Sequence, residues 1–312
     1  MTKSRVVNLP ASIRNRLLAL ARTGELNFQL ILIRYYQERL LARIAVSHYS
    51  HNFMLKGGFL LYALALGDAH QIARPTRDVD FRAQGVPSAP DSMRGIFQEI
   101  CAISIPDGVG FDIDRITAQA IIEDAVYPGV RVRIPASLSG THDVVQVDVG
   151  FGDVVTPGPQ EMEFPTLLDD MTVPRVQVYS VETIVAEKFE AMISLALVNG
   201  RLKDFFDVHQ LAHAKAFDGG LLQEAVVDTF DHRGTTFDPN HPIFDDTFGA
   251  DSERQRHWVV FIRRTGLGTA PDQFADVVVV VRRLLFPIYE ACASGDGFAG
   301  TWSPDALRWT AS

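Results

Sequence analysis

Val145-Gln-Val-Asp-Val149 alternates apolar and polar side chains along the chain. Successive side chains of a β-strand point to opposite faces, so the three valines share one face while Gln146 and Asp148 take the other. Val130-Arg-Val-Arg-Ile134 repeats this alternation within a region that extends from residue 108 to residue 155. The sequence therefore predicts strands with one buried face in this region.

A shorter strand is predicted at Asp78-Val-Asp-Phe81, where two carboxylates at positions i and i+2 point to the same face. Two close negative charges are unfavourable unless a cation lies between them, and Mg²⁺ takes oxygen ligands while also binding substrate phosphates. Asp-x-Asp also arises by chance at strand ends and in turns. Asp112-Ile-Asp114 has the same spacing and is interpreted as such a case, because no glycine pair or arginine run precedes it.

Residues suited to phosphate binding precede the acid pair at 78 and 80. Glycines let backbone N–H groups approach a phosphate closely, and arginines can donate two hydrogen bonds to it. A helix-capping turn with surface charges is the alternative interpretation, but the neighbouring acid pair favours a polyphosphate site. The residues in question are Lys56, Gly57, Gly58, Arg74, Thr76 and Arg77.

Asp148 could supply a third carboxylate. If its strand pairs beside the strand of Asp78 and Asp80, the three acids could hold two metal ions for in-line displacement at a phosphorus atom. The alternative is an exposed strand residue without a catalytic role. Asp153 is a weaker substitute for the same position.

Lys188 falls on the apolar stripe of a predicted helix. Counting from Val181, residue 188 lies at i+7 among inward apolar positions, whereas Glu187 and Glu190 fall on the polar side. An ammonium group on such a stripe is unfavourable unless it reaches solvent, pairs with a carboxylate or binds a phosphate. The acid pair elsewhere in the chain favours a triphosphate ligand.

A further acid follows in Arg201-Leu-Lys-Asp-Phe-Phe-Asp207, which predicts a new helix after a stop at Gly200. In the first turn of that helix, Asp204 could simply complement the helix dipole. His209 is interpreted as structural rather than catalytic.

Helical patterns flank the predicted strands. Residues 9 to 48 place apolar side chains at helical spacing, Pro10 suits a helix start, and Gly24 interrupts the pattern before a second helix begins near Leu26. The sequence therefore predicts two N-terminal helices.

The second half of the chain reads as mainly helical after Ser180, apart from a loop-like stretch at 231 to 252. A linker rich in proline and glycine begins at Thr156. We expect a domain of residues 1–175 that contains the strands and the N-terminal helices, and a helical C-terminal domain of residues 176–312.

Charge limits the possible classes of partner. A net charge of -9 argues against a protein whose whole surface coats nucleic acid. Two segments are nevertheless basic, namely residues 1–50 and the run from Arg254 to Arg264, in which Trp258 and Phe261 are interleaved. Each could be a solvated helix face or a contact with a phosphate backbone.

The apolar stretches are too short to cross a bilayer, and the N-terminal residues lack the apolar core of a secretory signal. The two cysteines, Cys101 and Cys292, have no histidines at metal-ligand spacing, so neither a disulfide framework nor a zinc site is indicated. We therefore expect a cytoplasmic protein without a membrane partner.

Five motifs resemble, in order and spacing, those of the AbiEii/MenT nucleotidyltransferases. They are Leu55-Lys-Gly-Gly58, Arg74-Pro-Thr-Arg-Asp-Val-Asp80, Val147-Asp-Val-Gly-Phe-Gly-Asp153, Glu182-Thr-Ile-Val-Ala-Glu-Lys188 and Arg201-Leu-Lys-Asp-Phe-Phe-Asp207. Ser12-Ile-Arg14 and Tyr36-Gln-Glu-Arg39 also resemble that family's N-terminal helices. The ordered set covers roughly residues 8 to 215 and is far more specific than any single motif.

The resemblance implies an α/β (α+β) fold with a polymerase-β-like nucleotidyltransferase core, N-terminal helices and a mainly helical C-terminal part. It also implies a toxin of a type IV, AbiE-type toxin-antitoxin system that acts in abortive infection and phage defence, together with a cognate AbiEi-type antitoxin. The related MenT enzymes transfer nucleotides to the 3′ end of tRNA. We therefore expect transfer of NMP from an NTP to an RNA, with the tRNA acceptor end as the partner, and inhibition of translation and growth.

Carried over to this sequence, the resemblance makes Asp78 and Asp80 ligands of Mg²⁺ or Mn²⁺. Lys188 would hold the triphosphate and Asp204 would be the remaining essential acid. Separately from the resemblance, we expect Asp148 to help to activate the acceptor hydroxyl. Thr76 matches a hydroxyl position two residues before the first aspartate. Many nucleotidyltransferases place Ser or Thr directly after the glycines, whereas Phe59 follows Gly58 here.

Two other functions fit the same residues. In the first, the chemistry is unchanged and the acceptor is a protein side chain. In the second, the protein is a degenerate nucleotide-binding partner that no longer catalyses transfer.

Overall fold

A computed structural model describes residues 8–65, 76–124, 127–199, 201–267 and 270–311. Arg74 and Gly200 lie outside the described residues. The chain divides into two compact units, one made of Met1–Ala63, Pro75–Gly152 and Gln160–Val178, and the other of Leu64–Arg74, Asp153–Pro159 and Tyr179–Ser312. Because these units are discontinuous in sequence, they are not the same division as the predicted boundary between residues 175 and 176, which stays a prediction.

The first unit combines helices with one large sheet. In chain order, its elements are α1 (Leu9–Thr23), α2 (Phe28–Val46), β1 (Phe53–Lys56), α3 (Gly57–Ala65), β2 (Asp78–Ala83), α4 (Pro90–Ala102), β3 (Gly110–Phe111), β4 (Thr117–Asp124), β5 (Tyr127–Leu138), β6 (Thr141–Phe151), β7 (Gln160–Glu163) and β8 (Arg175–Val178).

Within the described residues, the strands form an eight-stranded mixed sheet in the order β3-β5-β6-β2-β1-β8-β7, and β4 also pairs with β5. Strand β2 runs parallel to β6 and antiparallel to β1. The valines of β5 and β6 that alternate in the sequence are buried, as predicted: they are Val130, Val132, Val145, Val147 and Val149. The sheet therefore brings the acid-bearing strands β2 and β6 side by side.

The two N-terminal helices are confirmed, and each begins at an asparagine. The Asn8 side chain accepts a hydrogen bond from the backbone of Ala11, and Asn27 accepts one from Gln29. The buried stripe of α1 consists of Ile13, Leu17 and Ala21.

Part of the basic N-terminal segment is neither a solvated face nor a phosphate contact. Arg34, Arg39 and Arg43 of α2 are buried. Arg43 donates a hydrogen bond to Asp107 at 2.6 Å, and Arg39 donates one to Glu38 at 2.5 Å. Buried charges need such partners, so the arginines of α2 belong to the core of the first unit.

The second unit is mainly helical, as predicted. Its elements are α5 (Val181–Asn199), α6 (Leu202–Ala214), β9 (Phe217–Asp218), α7 (Gly219–Arg233), α8 (Ser252–Thr265), α9 (Phe274–Ser294), β10 (Thr301–Ser303) and β11 (Arg308–Thr310). An aromatic cluster around Phe189 and Tyr289 forms part of its core.

Two features of the second unit differ from the sequence prediction. Strands β9, β10 and β11 form a small antiparallel sheet in the order β11-β10-β9, whereas the sequence predicted a mainly helical region without naming any strand there. In addition, α7 continues to Arg233, past the predicted start of the loop at residue 231, and a 3₁₀ turn at Pro242–Phe244 interrupts that loop. Strands of two or three residues carry too little alternation to be read from sequence.

The described residues thus form a mixed α/β fold, as predicted. None of the helices in the described ranges is both long and apolar enough to cross a bilayer.

Candidate active site

Three aspartates meet in the first unit where β2 and β6 run in parallel. Asp80 lies opposite Asp148 in the register of the two strands, and Asp78 lies opposite Gln146. One carboxylate oxygen from each of Asp78, Asp80 and Asp148 lies within 4.8 Å of the others. The two-residue period of the strands and their pairing therefore place the three predicted acids together.

Thr76 orients the first of these acids. Its hydroxyl donates a hydrogen bond to Oδ1 of Asp78 at 2.6 Å. A charge-assisted bond of this length restricts the rotation of the carboxylate. The hydroxyl that the sequence assigned to phosphate binding thus contacts an acid of the cluster, while the neighbouring Arg77 is exposed.

The segment before α3 lies against the second acid. Gly57 has a φ of +68°, and a Cβ atom at this position would lie 2.0 Å from Oδ2 of Asp80. Lys56 is buried and lies opposite Asp80 in the antiparallel register of β1 and β2. Gly58 is buried in the first turn of α3. The predicted phosphate-binding segment and the acid cluster are therefore neighbours.

Arg131 of β5 holds the third acid and was missed by the sequence analysis. Its Nε and Nη2 donate to the two carboxylate oxygens of Asp148 at 2.8 and 2.7 Å. The side chain of Asp148 is 8% exposed and that of Arg131 is 30% exposed. The hydrogen bond to Asp148, together with the charges of Asp148, Asp78 and Asp80, raises the pKa of Arg131.

The signal for Arg131 was present in the alternation of β5, where the arginine takes the polar face. Its partner depends on the register of β5 with β6, which places Arg131 opposite Asp148. A shift of one residue would have sent the arginine to the other face, so the spacing alone could not identify the pair.

The cluster suits a hard divalent cation. Its carboxylates offer only oxygen atoms, which Mg²⁺ and Mn²⁺ prefer, and both ions keep further positions for water and phosphate oxygens. Three close carboxylates repel one another, and Arg131 offsets this repulsion at Asp148. Among the described residues, Asp78, Asp80 and Asp148 therefore form the group that could hold a metal.

The other aspartates considered from sequence lie elsewhere. Asp112 precedes a 3₁₀ turn at Ile113–Arg115, and both Asp112 and Asp114 are exposed, so this second Asp-x-Asp does not lie along a strand. Asp153 belongs to the second unit, where it accepts a hydrogen bond from the hydroxyl of Tyr179 at 3.0 Å.

In the second unit, Lys188 is paired with two carboxylates. The Nζ atom donates to Asp204 at 3.0 Å and to Asp207 at 2.6 Å, and the lysine side chain is only 11% exposed. Of the three environments considered for this lysine, the structure shows carboxylate pairing. Asp207 was not among the predicted site residues, although its spacing of three from Asp204 places both on one helical face.

Asp204 retains one oxygen without a hydrogen bond. Its Oδ2 is buried and lacks a hydrogen-bond partner within the described ranges, although Arg201 Nη1 lies 3.6 Å away. Buried carboxylate oxygens are unfavourable without such partners. Asp204 is therefore buried and paired with Lys188, rather than exposed at a helix start.

The helix face opposite Lys188 is not the polar surface that was predicted. Glu190 is buried and accepts hydrogen bonds from Arg233 and Thr235, both at 2.7 Å. Glu187 lies 3.5 Å from the same arginine. Helix α5 packs extensively against α7, so both its faces are covered and the two-sided pattern expected for a surface helix does not apply.

His209 is buried in α6 near His213. Burial, with a smaller effect of His213, lowers the pKa of His209 to about 4. The imidazole is therefore neutral at physiological pH.

The model of the AbiEii family, described as the nucleotidyl transferase AbiEii toxin of a type IV toxin-antitoxin system, matches residues 39–280. A search of curated proteins finds no match.

Two solved structures from Helicobacter pylori are similar to the chain. A candidate nucleotidyltransferase shares 14% identity, covers 88% of this chain and 100% of its own, and has a TM-score of 0.49. JHP933 shares 15% identity, covers 86% of this chain and 94% of its own, and has a TM-score of 0.45.

The family match includes β2 and β6, which carry the acid cluster, and α5 and α6, which carry Lys188 and Asp204. It confirms the predicted nucleotidyltransferase fold and enzyme class, and membership of a toxin-antitoxin family implies a cognate antitoxin. The chain belongs to the AbiEii family of nucleotidyl transferase toxins of type IV toxin-antitoxin systems.

Proposed function

We propose that this toxin transfers NMP from an NTP to the 3′ end of tRNA in a reaction that requires Mg²⁺ or Mn²⁺, and thereby inhibits translation and growth in the cytoplasm. The observation that supports the metal requirement is the cluster of Asp78, Asp80 and Asp148, with one oxygen of each within 4.8 Å of the others. An acid cluster beside a glycine at the start of a helix suits a polyphosphate with its cations.

In the proposed reaction, a hydroxyl oxygen of the acceptor attacks the α-phosphorus of the NTP. The bond from that phosphorus to the bridging oxygen of the β-phosphate breaks, and pyrophosphate leaves. Divalent ions held by Asp78, Asp80 and Asp148 would supply stabilisation of the charge that develops on the phosphate oxygens.

The residues around the cluster have separate tasks in this proposal. Thr76 keeps the Asp78 carboxylate in place, and Gly57 leaves room for Asp80. Lys56, Arg77 and the backbone of Gly58 would contact the phosphates.

Asp148 would accept the proton of the attacking hydroxyl. A carboxylate can accept about four hydrogen bonds, so the two bonds from Arg131 and the longer one from Gln146 Nε2 at 3.3 Å leave one position for a hydroxyl or a metal. Arg131 would keep Asp148 in one orientation during the reaction.

Lys188 and Asp204 are proposed to serve the triphosphate and the chemistry from the second unit. The ammonium of Lys188 already donates to Asp204 and Asp207, so a triphosphate must exchange with one of these carboxylates or add to them.

The test is incubation of the protein with each α-³²P-labelled NTP, total RNA and either Mg²⁺ or EDTA. We expect label in tRNA only when the metal is present, and none with Asp80→Asn. Asp114→Asn is the matched control, because it removes an exposed acid from the other Asp-x-Asp sequence. Equal labelling by wild type and Asp80→Asn would overturn the catalytic role of the cluster.

The same assay separates the alternatives. Label in protein rather than RNA would favour a protein acceptor. Full growth inhibition by Asp80→Asn in cells would favour the binding partner without catalysis. Inhibition that requires Asp80, together with labelled tRNA, would support the proposed function.

A further inference from the structure

Helix α9 and the hairpin of β10 and β11 line a groove of about 600 Å³ in the second unit. Arg282, Arg283 and Phe286 contribute to it from the helix, and Arg308 and Trp309 contribute from the hairpin. Trp309 Nε1 donates a hydrogen bond to the backbone oxygen of Leu284 at 3.1 Å. This bond connects the hairpin to the helix. The family match ends at residue 280, so these five residues lie beyond it.

The groove concentrates positive charge on an otherwise acidic chain. Arg283 and Arg308 are exposed, and in the described part of the chain neither is paired with a carboxylate. Arg282 pairs with Asp246, but that carboxylate is 93% exposed, and such surface pairs contribute little because water and salt screen them. Three guanidinium groups therefore line one groove, where an anionic ligand could contact them.

The groove also offers aromatic surface between these charges. Phe286 and Trp309 are partly exposed, and the guanidinium of Arg282 lies 5.5 Å from the centre of the Phe286 ring. Proteins that bind single-stranded nucleic acid combine arginines that contact the phosphates with aromatic rings on which bases stack. A duplex hides the faces of its bases, so this combination favours a single strand over a double helix.

We propose that this groove binds a single-stranded segment of RNA, with Arg283 and Arg308 on the phosphates and Trp309 against a base. This inference deepens the proposed function and rests on it for the choice of RNA as the partner. It adds a contact surface for the acceptor RNA outside the acid cluster and outside the matched family region.

Tryptophan fluorescence provides a direct test. The chain has three tryptophans, and Trp258 and Trp302 are fully buried, so a base that enters the groove should quench only Trp309. The probe is a single-stranded RNA of about 12 nucleotides, within the usual range of site sizes. The titration is made in EDTA without NTP, so that no transfer can occur, and Trp309→Phe should remove most of the quenching.

The charge contribution is tested with Arg283→Gln/Arg308→Gln against Arg94→Gln/Arg115→Gln. The control pair removes the same charge from exposed positions of the first unit that lie outside both basic segments. We expect the groove variant to bind more weakly and the slope of log affinity against log salt to become shallower by about 1.4, because each phosphate contact on a single strand contributes about 0.7. The control should keep the wild-type slope.

Three outcomes would overturn the groove as the RNA site: equal losses in both double variants, no loss in the groove variant, or equal quenching by a polyglutamate of similar length. The last outcome would indicate an acidic protein partner instead. Failure of the proposed function is a separate result, because it appears as missing transfer of label to tRNA whether or not the oligonucleotide quenches Trp309.

Discussion

At the scale of single residues, the acid cluster depends on what stands next to each carboxylate. Asp78 is held by a hydroxyl, Asp80 has a glycine beside it, and Asp148 has an arginine. Each neighbour controls a different property, namely orientation, space and charge. Two of these neighbours can be tested with variants that have close controls in the same unit.

Gly57→Ala should abolish metal-dependent transfer while the protein remains folded. The new methyl carbon would lie 2.0 Å from Oδ2 of Asp80 and would displace this carboxylate, and the positive φ would reduce the free energy of unfolding by about 1 kcal/mol. Gly140→Ala is the control, because Gly140 has a φ of +81° and no atom within 4 Å of the added Cβ. Urea unfolding should show a larger loss for Gly57→Ala, because the contact with Asp80 adds to the strain of the positive φ that both variants share, and calorimetry should show weaker Mn²⁺ binding only for Gly57→Ala. Normal Mn²⁺ binding by that variant would show that Asp80 tolerates displacement.

Arg131→Met should destabilise the metal-free protein and increase the stabilisation that a metal gives. Without the guanidinium, the carboxylates repel one another more strongly, and we expect the free energy of unfolding in EDTA to fall by about 2 kcal/mol, below the value for a fully buried pair because the arginine is partly exposed. Added Mn²⁺ should restore much of this loss. Thermal unfolding with and without Mn²⁺ measures both effects.

The control for Arg131→Met is Arg133→Met, two residues along the same strand, where the arginine is exposed. Its unfolding should be close to wild type in EDTA and in Mn²⁺. If both variants behaved alike, Arg131 would have no particular influence on the acid cluster.

At the scale of elements, the sequence predicted the parts with long regular patterns. Five valines alternating along β5 and β6 and the stripe of α1 were sufficient to identify these elements. The hairpin of β10 and β11 has three residues in each strand, so it carries almost no periodic signal.

The residues of the candidate active site were likewise predicted only where the pattern lies within a single element. Asp78 and Asp80 are found from spacing within one strand, whereas Arg131 requires the register between two strands. Asp207 requires knowledge of which helix packs on which, because its partner Lys188 lies in another helix. Spacing along one element can be predicted, but pairing between elements depends on tertiary packing.

Lys188 of α5 pairs with two aspartates of α6. Its contribution to stability can therefore be measured separately from its proposed role in nucleotide binding. Lys188→Met would leave Asp204 and Asp207 buried without their ammonium partner, and we expect the free energy of unfolding to fall by about 3 kcal/mol. The triple variant Lys188→Met/Asp204→Asn/Asp207→Asn removes all three charges and should recover most of this loss. Urea unfolding measures the recovery.

Transfer of labelled NMP is then measured on the same two proteins. The triple variant should stay inactive despite its recovered stability, because it lacks both the lysine and the acid proposed for catalysis. Lys203→Met is the control, since Lys203 is exposed on the same helix as the two aspartates. If the triple variant regained transfer activity, Lys188 would have a structural role only.

At the scale of the whole molecule, an AbiEii toxin with a net charge of -9 must fold despite its excess of acidic groups. Its stability at acidic pH depends on which groups take up protons on unfolding. A buried histidine that is neutral in the folded protein contributes within one defined pH range, because only the unfolded chain binds the proton there.

His209 defines such a window. Burial lowers its pKa to about 4, whereas in the unfolded chain the value returns to about 6.5. Between these two pH values the unfolded chain binds a proton that the folded protein does not, so the stability falls as the pH is lowered from about 6.5 to about 4. One proton corresponds to a slope of at most about 1.4 kcal/mol per pH unit.

His209→Leu should therefore flatten the dependence of the unfolding free energy on pH within that window. The leucine cannot take up a proton in either state, and the Nδ1 atom that it replaces has no hydrogen-bond partner in the described residues, so the packing cost near pH 7 should be small. Urea unfolding at several pH values measures the slope, and His142→Leu, at an exposed position, serves as the comparison. The difference between wild type and His209→Leu should increase steadily from about pH 6.5 down to about pH 4 and then become constant, because below that pH both states of the wild type are protonated. A difference that did not depend on pH would mean that His209 is already charged in the folded protein.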